Sequence, residues 1–193
     1  MAELRKIGVA LLAAGASRRF GDTDKLAQKI GDGLLGESAA IAFPRSLCSF
    51  GWVVISERRH PCEPAWLAAG FDPVVNPAAH QGMGTSVALA AQLALHGRLD
   101  ALAIMLADMP LVPTKHFVAL IDAVAAPEDI ATSAIGDARM PPAVFGSAHF
   151  ANLAEQSGDR GAQGLLARGK VVECPAGWLI DIDTPADLAK HGH

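Results

Sequence analysis

The segment Leu12-Ala13-Ala14-Gly15-Ala16-Ser17-Arg18-Arg19-Phe20-Gly21 leaves an apolar run, Ile7–Leu12, and is followed shortly by Lys25. Its residue types suit a polyphosphate. Gly15 and Gly21 let the backbone come close to phosphate oxygens, exposed amides supply hydrogen bonds, and Arg18, Arg19 and Lys25 supply positive charge. The spacing is neither GxGxxG nor GxxxxGK[ST], so the same residues also read as a glycine turn flanked by solvated arginines.

Two acidic positions could complete such a site. Asp108, in Leu106-Ala107-Asp108-Met109-Pro110, ends an apolar run, and a carboxylate at the C-terminal end of a buried strand faces the edge where ligands of parallel sheets bind. A magnesium ion bridging phosphate oxygens needs such a hard oxygen ligand. An Asp ahead of a proline turn is equally a turn former. Asp181-Ile182-Asp183-Thr184-Pro185 closes a further apolar run, Leu179–Ile182, read here as a last strand. Alternation with period two would put Asp181 and Asp183 on one side of it. Asp183 or Thr184 can also cap a short helix begun by Pro185, with Asp187 in its first turn.

Gln81-Gly82-Met83-Gly84-Thr85-Ser86 precedes a helical stretch, and its glycines and hydroxyls suit contact with a base or ribose, or a simple helix cap. Gly158-Asp159-Arg160-Gly161 likewise precedes a helical stretch and suits a second substrate or a turn. None of the seven histidines has metal-ligand spacing such as HExxH.

The elements that would hold these groups alternate. Short apolar runs at Ile7–Leu12, Trp52–Ile55, Val74–Val75, Leu102–Leu106, Ile130–Ala134, Ala143–Phe145, Val171–Glu173 and Leu179–Ile182 read as strands. Glu37–Ser49, Thr85–His96, Thr114–Ala125 and Gly161–Arg168 read as helices, Thr114 being a candidate cap. Continuous apolar strands separated by helices predict a parallel sheet buried on both faces. From Ile130 onward the runs lie closer together among prolines and glycines, which predicts a mixed sheet there. With 193 residues, no repeat and no linker, a single domain spanning 1–193 is expected.

Composition excludes several classes. The apolar fraction of 51% and charged fraction of 19% match a folded globular chain. The apolar run Ile7–Ala14 is far shorter than the roughly 20 residues needed to span a bilayer, which predicts a cytoplasmic protein with no membrane partner. A net charge of −4 argues against general nucleic-acid binding, so any phosphate site must be local. Cys48, Cys62 and Cys174 show no CxxC spacing and are expected to be reduced thiols.

In order along the chain, LAAGASRRFG with Lys25, NPAAHQGMGTSV, LADMPLV, PPAVF, GDRGAQGLL and DIDTPADL resemble the MobA-like nucleotidyltransferases, and within them the molybdenum cofactor cytidylyltransferases. The resemblance implies an α/β fold, a Rossmann-like three-layer α/β/α sandwich with a predominantly parallel, mixed central sheet of the nucleotide-diphospho-sugar transferase type. It implies magnesium, with manganese as the alternative, and a phosphorylated acceptor such as molybdopterin. Arg19, Lys25 and Asp108 would be catalytic. Ala13, Ala14, Gly15, Ser17, Arg19, Lys25, Gly82 and Ser86 would bind the nucleotide, and Asp108 and Asp183 the metal. Guanylyl-transferring relatives often carry a second glycine where Ala14 stands, which favours CTP. A molybdoenzyme or chaperone is the protein partner the resemblance implies.

The chain departs from the pattern at four points. Phe20 stands for the usual Met, and Asp22, Thr23 and Asp24 separate Gly21 from Lys25 as in guanylyltransferase relatives. Gln163 stands for an Arg, and Met140-Pro141-Pro142 for a His-Pro preceded by glycine. These changes leave the reaction class and open the acceptor: the alternatives are GTP as the donor nucleotide or another phosphorylated acceptor such as a sugar phosphate, and a catalytically silent nucleotide-binding partner protein.

Overall fold

The computed structural model describes residues 5–15, 20, 23–158 and 162–191. In chain order the elements are β1 (Ile7–Leu12), the short strands β2 (Lys29–Ile30) and β3 (Gly33–Leu34), α1 (Leu35–Ala42), β4 (Phe50–Ile55), α2 (Glu63–Ala68) and β5 (Asp72–Val75). There follow α3 (Met83–His96), β6 (Ala101–Leu106), α4 (Thr114–Asp122), β7 (Ile130–Ile135), β8 (Ala138–Gly146), α5 (Phe150–Ala154), α6 (Gln163–Leu166), β9 (Lys170–Glu173) and α7 (Pro185–His191).

Seven strands form one sheet in the order β5-β4-β1-β6-β8-β7-β9, and β2 and β3 form a separate ribbon. β5, β4, β1 and β6 run parallel. β8 is antiparallel to both β6 and β7, which makes the sheet mixed in the region beginning at Ile130, as its crowded apolar runs imply. The central strands bury both faces because their side chains alternate between two helix layers. Val9, Leu11, Val53 and Met105 pack with Leu35 of α1, Trp66 of α2 and Leu120 of α4. Ala10, Leu12, Val54 and Ile104 pack on the other side with Val87 and Ala91 of α3, Leu153 of α5 and Leu166 of α6. This is the expected three-layer α/β/α sandwich.

Three local expectations are corrected. Leu179–Ile182 is not a strand: a 3-10 turn at Ala176–Trp178 precedes it, and Leu179 and Ile182 are buried in the core from an irregular segment. Burial produced the apolar run, so strand alternation does not position Asp181 and Asp183. Thr114 is not a cap, since it is the first helical residue of α4 and its hydroxyl donates to the Ala42 carbonyl at 2.7 Å. α2 and α5 were not read from the sequence, being helices of six and five residues, too short for a periodic signal.

The β7–β8 pair carries a register shift between Thr132 and Ser133, next to the cis Pro141–Pro142 bond. Ser133 Oγ donates to the Pro142 carbonyl at 2.7 Å, so its lone pair accepts from His116 Nε2–H at 2.8 Å. His116 is 2% exposed, and burial lowers its pKa below the ordinary 6.5. As pH falls the unfolded chain therefore takes up a proton at this histidine before the folded one does. The contribution is fully present above about 6.5 and is lost as pH drops toward the lower folded value. Urea denaturation should show a steeper loss of stability from pH 7 to pH 5 in the wild type than in His116→Gln; equal slopes would contradict the assignment.

Candidate active site

β1 and β6 are neighbouring parallel strands with Leu12 paired to Leu106, so the chain segments that follow them emerge side by side. Ala13 N–H still bonds the Val54 carbonyl at 2.8 Å, and Ala107 N–H bonds the Leu12 carbonyl at 3.1 Å. These bonds carry Ala13–Gly15 and Asp108 onto the same sheet edge, where ligands of open α/β sheets bind. Ile182 N–H bonds the Asp108 carbonyl at 2.9 Å, which holds Asp183 beside it. Thr184 and Asp187 cap α7 reciprocally: Thr184 N–H and hydroxyl donate to Asp187 Oδ2, and Asp187 N–H donates to Thr184 Oγ. The cap reading of Thr184 therefore holds, and the Asp183 carboxylate pairs with Lys25 instead.

Lys25 opens a 3-10 turn, Lys25–Ala27, whose Leu26 is buried and whose Leu26 N–H is capped by Asp24 Oδ1 at 3.0 Å. From this turn the Lys25 ammonium reaches both acidic positions, 2.6 Å from Asp108 Oδ2 and 2.8 Å from Asp183 Oδ1. The Lys25 side chain is 12% exposed, Asp108 20% and Asp183 41%. Burial acts to lower the Lys25 pKa, but the charges and hydrogen bonds of Asp108 and Asp183 outweigh it and raise the net value. Lys25 is therefore a permanent cation here.

Asp181 meets the same electrostatic field. Desolvation by the surrounding protein, then the charges of Asp108 and Asp183, push its carboxyl up to about 6, against a smaller opposing effect of Lys25. Its side chain is exposed by area, so the shift carries little energetic weight after solvent screening. The direction is informative all the same: Asp108, Asp181 and Asp183 lie close enough to act on one another's charge.

Asp108 Oδ1 is buried and has no hydrogen-bond partner, an arrangement that normally costs free energy. An oxygen of that kind, beside a second carboxylate, fits a hard divalent cation completed by phosphate oxygens and water. No cluster of three or more His, Cys, Asp or Glu with metal-binding geometry occurs among the described residues. A magnesium-like ion held by one or two carboxylates and its substrate does not require one.

Ala13, Ala14, Gly15, Lys25, Gly82, Ser86 and Asp108 all line one cleft of about 440 Å³. The size suits a small-molecule ligand. Gly82 adopts φ of +110°, a conformation that favours glycine, and ends a 3-10 turn just before α3. Gly84 is required for packing: a Cβ there would lie 2.6 Å from the backbone carbon of Ser157, and Gly84 N–H bonds the Gly158 carbonyl at 2.7 Å. Ser17 and Arg19, with Arg18, Gly21, Asp159, Arg160 and Gly161, lie outside the described residues.

Asn76 was missed by sequence reasoning. It is 4% exposed, and its amide donates to Thr85 Oγ and Ser86 Oγ, both at 2.9 Å, which fixes the start of α3 against β5. The signal available was a polar residue directly after the apolar Val74–Val75 pair. His80 also lines the cleft without having been singled out.

A second cavity of about 250 Å³ adjoins the first through the shared walls Leu12, Met83 and Leu106. Val87, Ile104, Met140 and Phe145 make it largely apolar, while Arg139, Gln163 and Asp181 supply polar groups.

Comparisons with known proteins bear on the family and the fold. The MobA-like NTP transferase domain model matches residues 9–173. Purine catabolism protein PucB of Bacillus subtilis is 34% identical over 94% of this chain and 93% of its own. The crystal structure of Rv0371c from Mycobacterium tuberculosis has a TM-score of 0.76 at 26% identity, covering 98% of both chains. A manganese complex of Rv0371c has a TM-score of 0.72 at 24% identity, over 97% of this chain and 98% of that one. A nucleotidyl transferase from Methanothermobacter shares the fold with a TM-score of 0.81 at 18% identity, over 97% and 96% of the two chains. The chain therefore belongs to the MobA-like NTP transferase family and is a nucleotidyltransferase.

Proposed function

We propose that the chain transfers a cytidylyl group from CTP to the terminal phosphate of molybdopterin or its molybdenum-bearing form, releasing pyrophosphate, and does so in the cytoplasm. The observation that carries this reading is the meeting of Lys25 with Asp108 and Asp183 at a cleft lined by Ala13–Gly15 and by Gly82 and Ser86. Ala14 at the cleft wall supports CTP through the family pattern described above. The adjoining cavity supports an acceptor with a partly apolar ring system and polar edges, held near Arg139 and Gln163.

An oxygen of the acceptor's phosphate monoester attacks the α-phosphorus in line. A new P–O bond forms, the bond from the α-phosphorus to the bridging oxygen breaks, and its electron pair leaves on pyrophosphate. No general base is needed, because a phosphate monoester has a second pKa of about 6 and is already ionised. Lys25 neutralises charge on the triphosphate and on the leaving group. Ser86, whose oxygen accepts from Asn76, keeps its own proton to donate toward the nucleotide. Asp108 and Asp183 would hold a divalent cation, magnesium or manganese, which supplies charge neutralisation and polarises the phosphoryl oxygens. The manganese complex of Rv0371c supports that choice.

Met140 and Pro141 at the wall of the adjoining cavity favour a second reading, GTP as donor or another phosphorylated acceptor, within the same reaction class. Incubation of each labelled triphosphate with molybdopterin and with sugar phosphates separates the two. CMP transfer to molybdopterin is expected; transfer only of GMP, or only to another phosphate, would replace the proposal, and binding without turnover would indicate a silent partner protein.

Asp108→Asn should lower turnover by about 10²-fold or more, on the scale of losing one pre-organised electrostatic contact. A magnesium-dependent pyrophosphate-release assay with unchanged rate would remove Asp108 from the chemistry. Lys25→Met should weaken triphosphate binding about tenfold, the scale of losing one charge-assisted contact, as read by calorimetry. The same variant leaves Asp108 and Asp183 without their ammonium, so added magnesium should raise its melting temperature more than that of the wild type. Equal shifts would argue against a metal at these carboxylates.

A further inference from the structure

Lys25 is presented by a single 3-10 turn, a structure with few internal bonds to hold it. Cys62 Sγ donates to the Leu26 carbonyl at 3.3 Å and Gln28 Nε2 to the Asp24 carbonyl at 2.9 Å. Leu26 is buried in the core, and Asp24 caps the turn through Oδ1. The other oxygen of the same carboxylate, Oδ2, lies 2.6 Å from His60 Nε2.

His60 is well placed to be a fixed post. Its side chain is 11% exposed, and its ring stacks on Trp66 at a centroid distance of 4.7 Å and an interplanar angle of 25°. Trp66 is fully buried, and its indole N–H donates to the Gly36 carbonyl at 2.7 Å. Cys62 N–H donates to His60 Nδ1 at 3.1 Å, so that nitrogen is an acceptor and the ring proton belongs on Nε2. Nε2 is buried and forms no aligned hydrogen bond, so its close approach to the Asp24 carboxylate acts as an electrostatic contact. One carboxylate thus ties the turn of Lys25 to a ring clamped on α2.

We propose that His60 is a positioning residue for nucleotidyl transfer, acting through Asp24 to hold the turn that presents Lys25 to the two site carboxylates and the triphosphate. The proposal rests on the role given to Lys25 above. His60 touches no reacting atom, and its effect on the reaction is geometric. Loss of its contact loosens one restraint on Asp24 and so on the turn of Lys25, and misplacement of about 1 Å in such a group can cost up to about 10²-fold.

Three substitutions separate this role from simple packing. His60→Phe keeps the stack on Trp66 and removes both nitrogens, His60→Gln restores a donor near Nε2, and His60→Asn restores an acceptor near Nδ1. With magnesium and the preferred triphosphate, Phe and Asn should raise KM for the triphosphate about tenfold, with kcat less affected, and Gln should recover most of the loss. Asp24→Ala combined with His60→Phe should cost much less than the product of the two single effects. An unchanged KM in His60→Phe, equal impairment in Gln and Asn, or independent effects of His60→Phe and Asp24→Ala would overturn the proposal. If phenylalanine unfolds the chain, the Gln and Asn pair carries the comparison.

Amide hydrogen exchange at Leu26, measured without nucleotide, tests the linkage separately. Exchange should be faster in His60→Asn than in the wild type and restored in His60→Gln; identical protection in all three would overturn it. A wild type that binds no triphosphate would sink the proposed function, while Leu26 exchange would still report whether His60 holds the turn.

Discussion

The arrangement depends on one electrostatic contact, an ammonium shared between two carboxylates. Lys25 reaches Asp108 and Asp183 across sequence separations of 83 and 158 residues, so the contact exists only when the whole sandwich has formed. Partial burial strengthens it, because the field between charges is less screened than in water. Beside it, the Asp181 carboxyl is pushed up to about 6, first by desolvation and then by the charges of Asp108 and Asp183, and Oδ1 of Asp108 is buried without a hydrogen bond.

Everything nearby serves to hold that geometry. The parallel pairing of β1 with β6 brings two strand ends to one edge, and the bond from Ile182 N–H to the Asp108 carbonyl adds the third segment. The reciprocal cap between Thr184 and Asp187 turns the chain into α7 at the point where Asp183 must face the cleft. On the opposite wall, buried Asn76 fixes Thr85 and Ser86 at the start of α3. The Asp24 and His60 pair adds a comparable brace for the turn of Lys25. Polar groups here are spent on orientation, and the strands and helices behind them supply the rigidity.

The second cavity gives the site a direction. Ala13–Gly15 line the first cavity, Arg139, Gln163 and Asp181 line the second on the side of β8 and α6, and Leu12, Met83 and Leu106 form the common wall. The change from parallel to antiparallel pairing at β8 is what brings Arg139 and Met140 toward the cleft. The register shift at Ser133, pinned by its bond to Pro142, shapes that edge. Acceptor selectivity is therefore expected to reside in the mixed half of the sheet and nucleotide handling in the parallel half.

The sequence by itself determined the layered fold and marked most of the positions that meet at the cleft. Apolar runs such as Ile7–Leu12 can be buried on both faces only between helices, and ordered motifs marked Lys25, Asp108, Asp183, Gly82 and Ser86. Short elements escaped it, because α2 and α5 are too brief to show a period, and Leu179–Ile182 looked like a strand because burial in an irregular segment leaves the same apolar signature. The tertiary structure alone decided which partners each polar group found. Asn76 against α3, His60 against Asp24, and Lys25 between Asp108 and Asp183 arise from contacts between distant segments, and local sequence carries no energetic trace of a neighbour that only folding supplies.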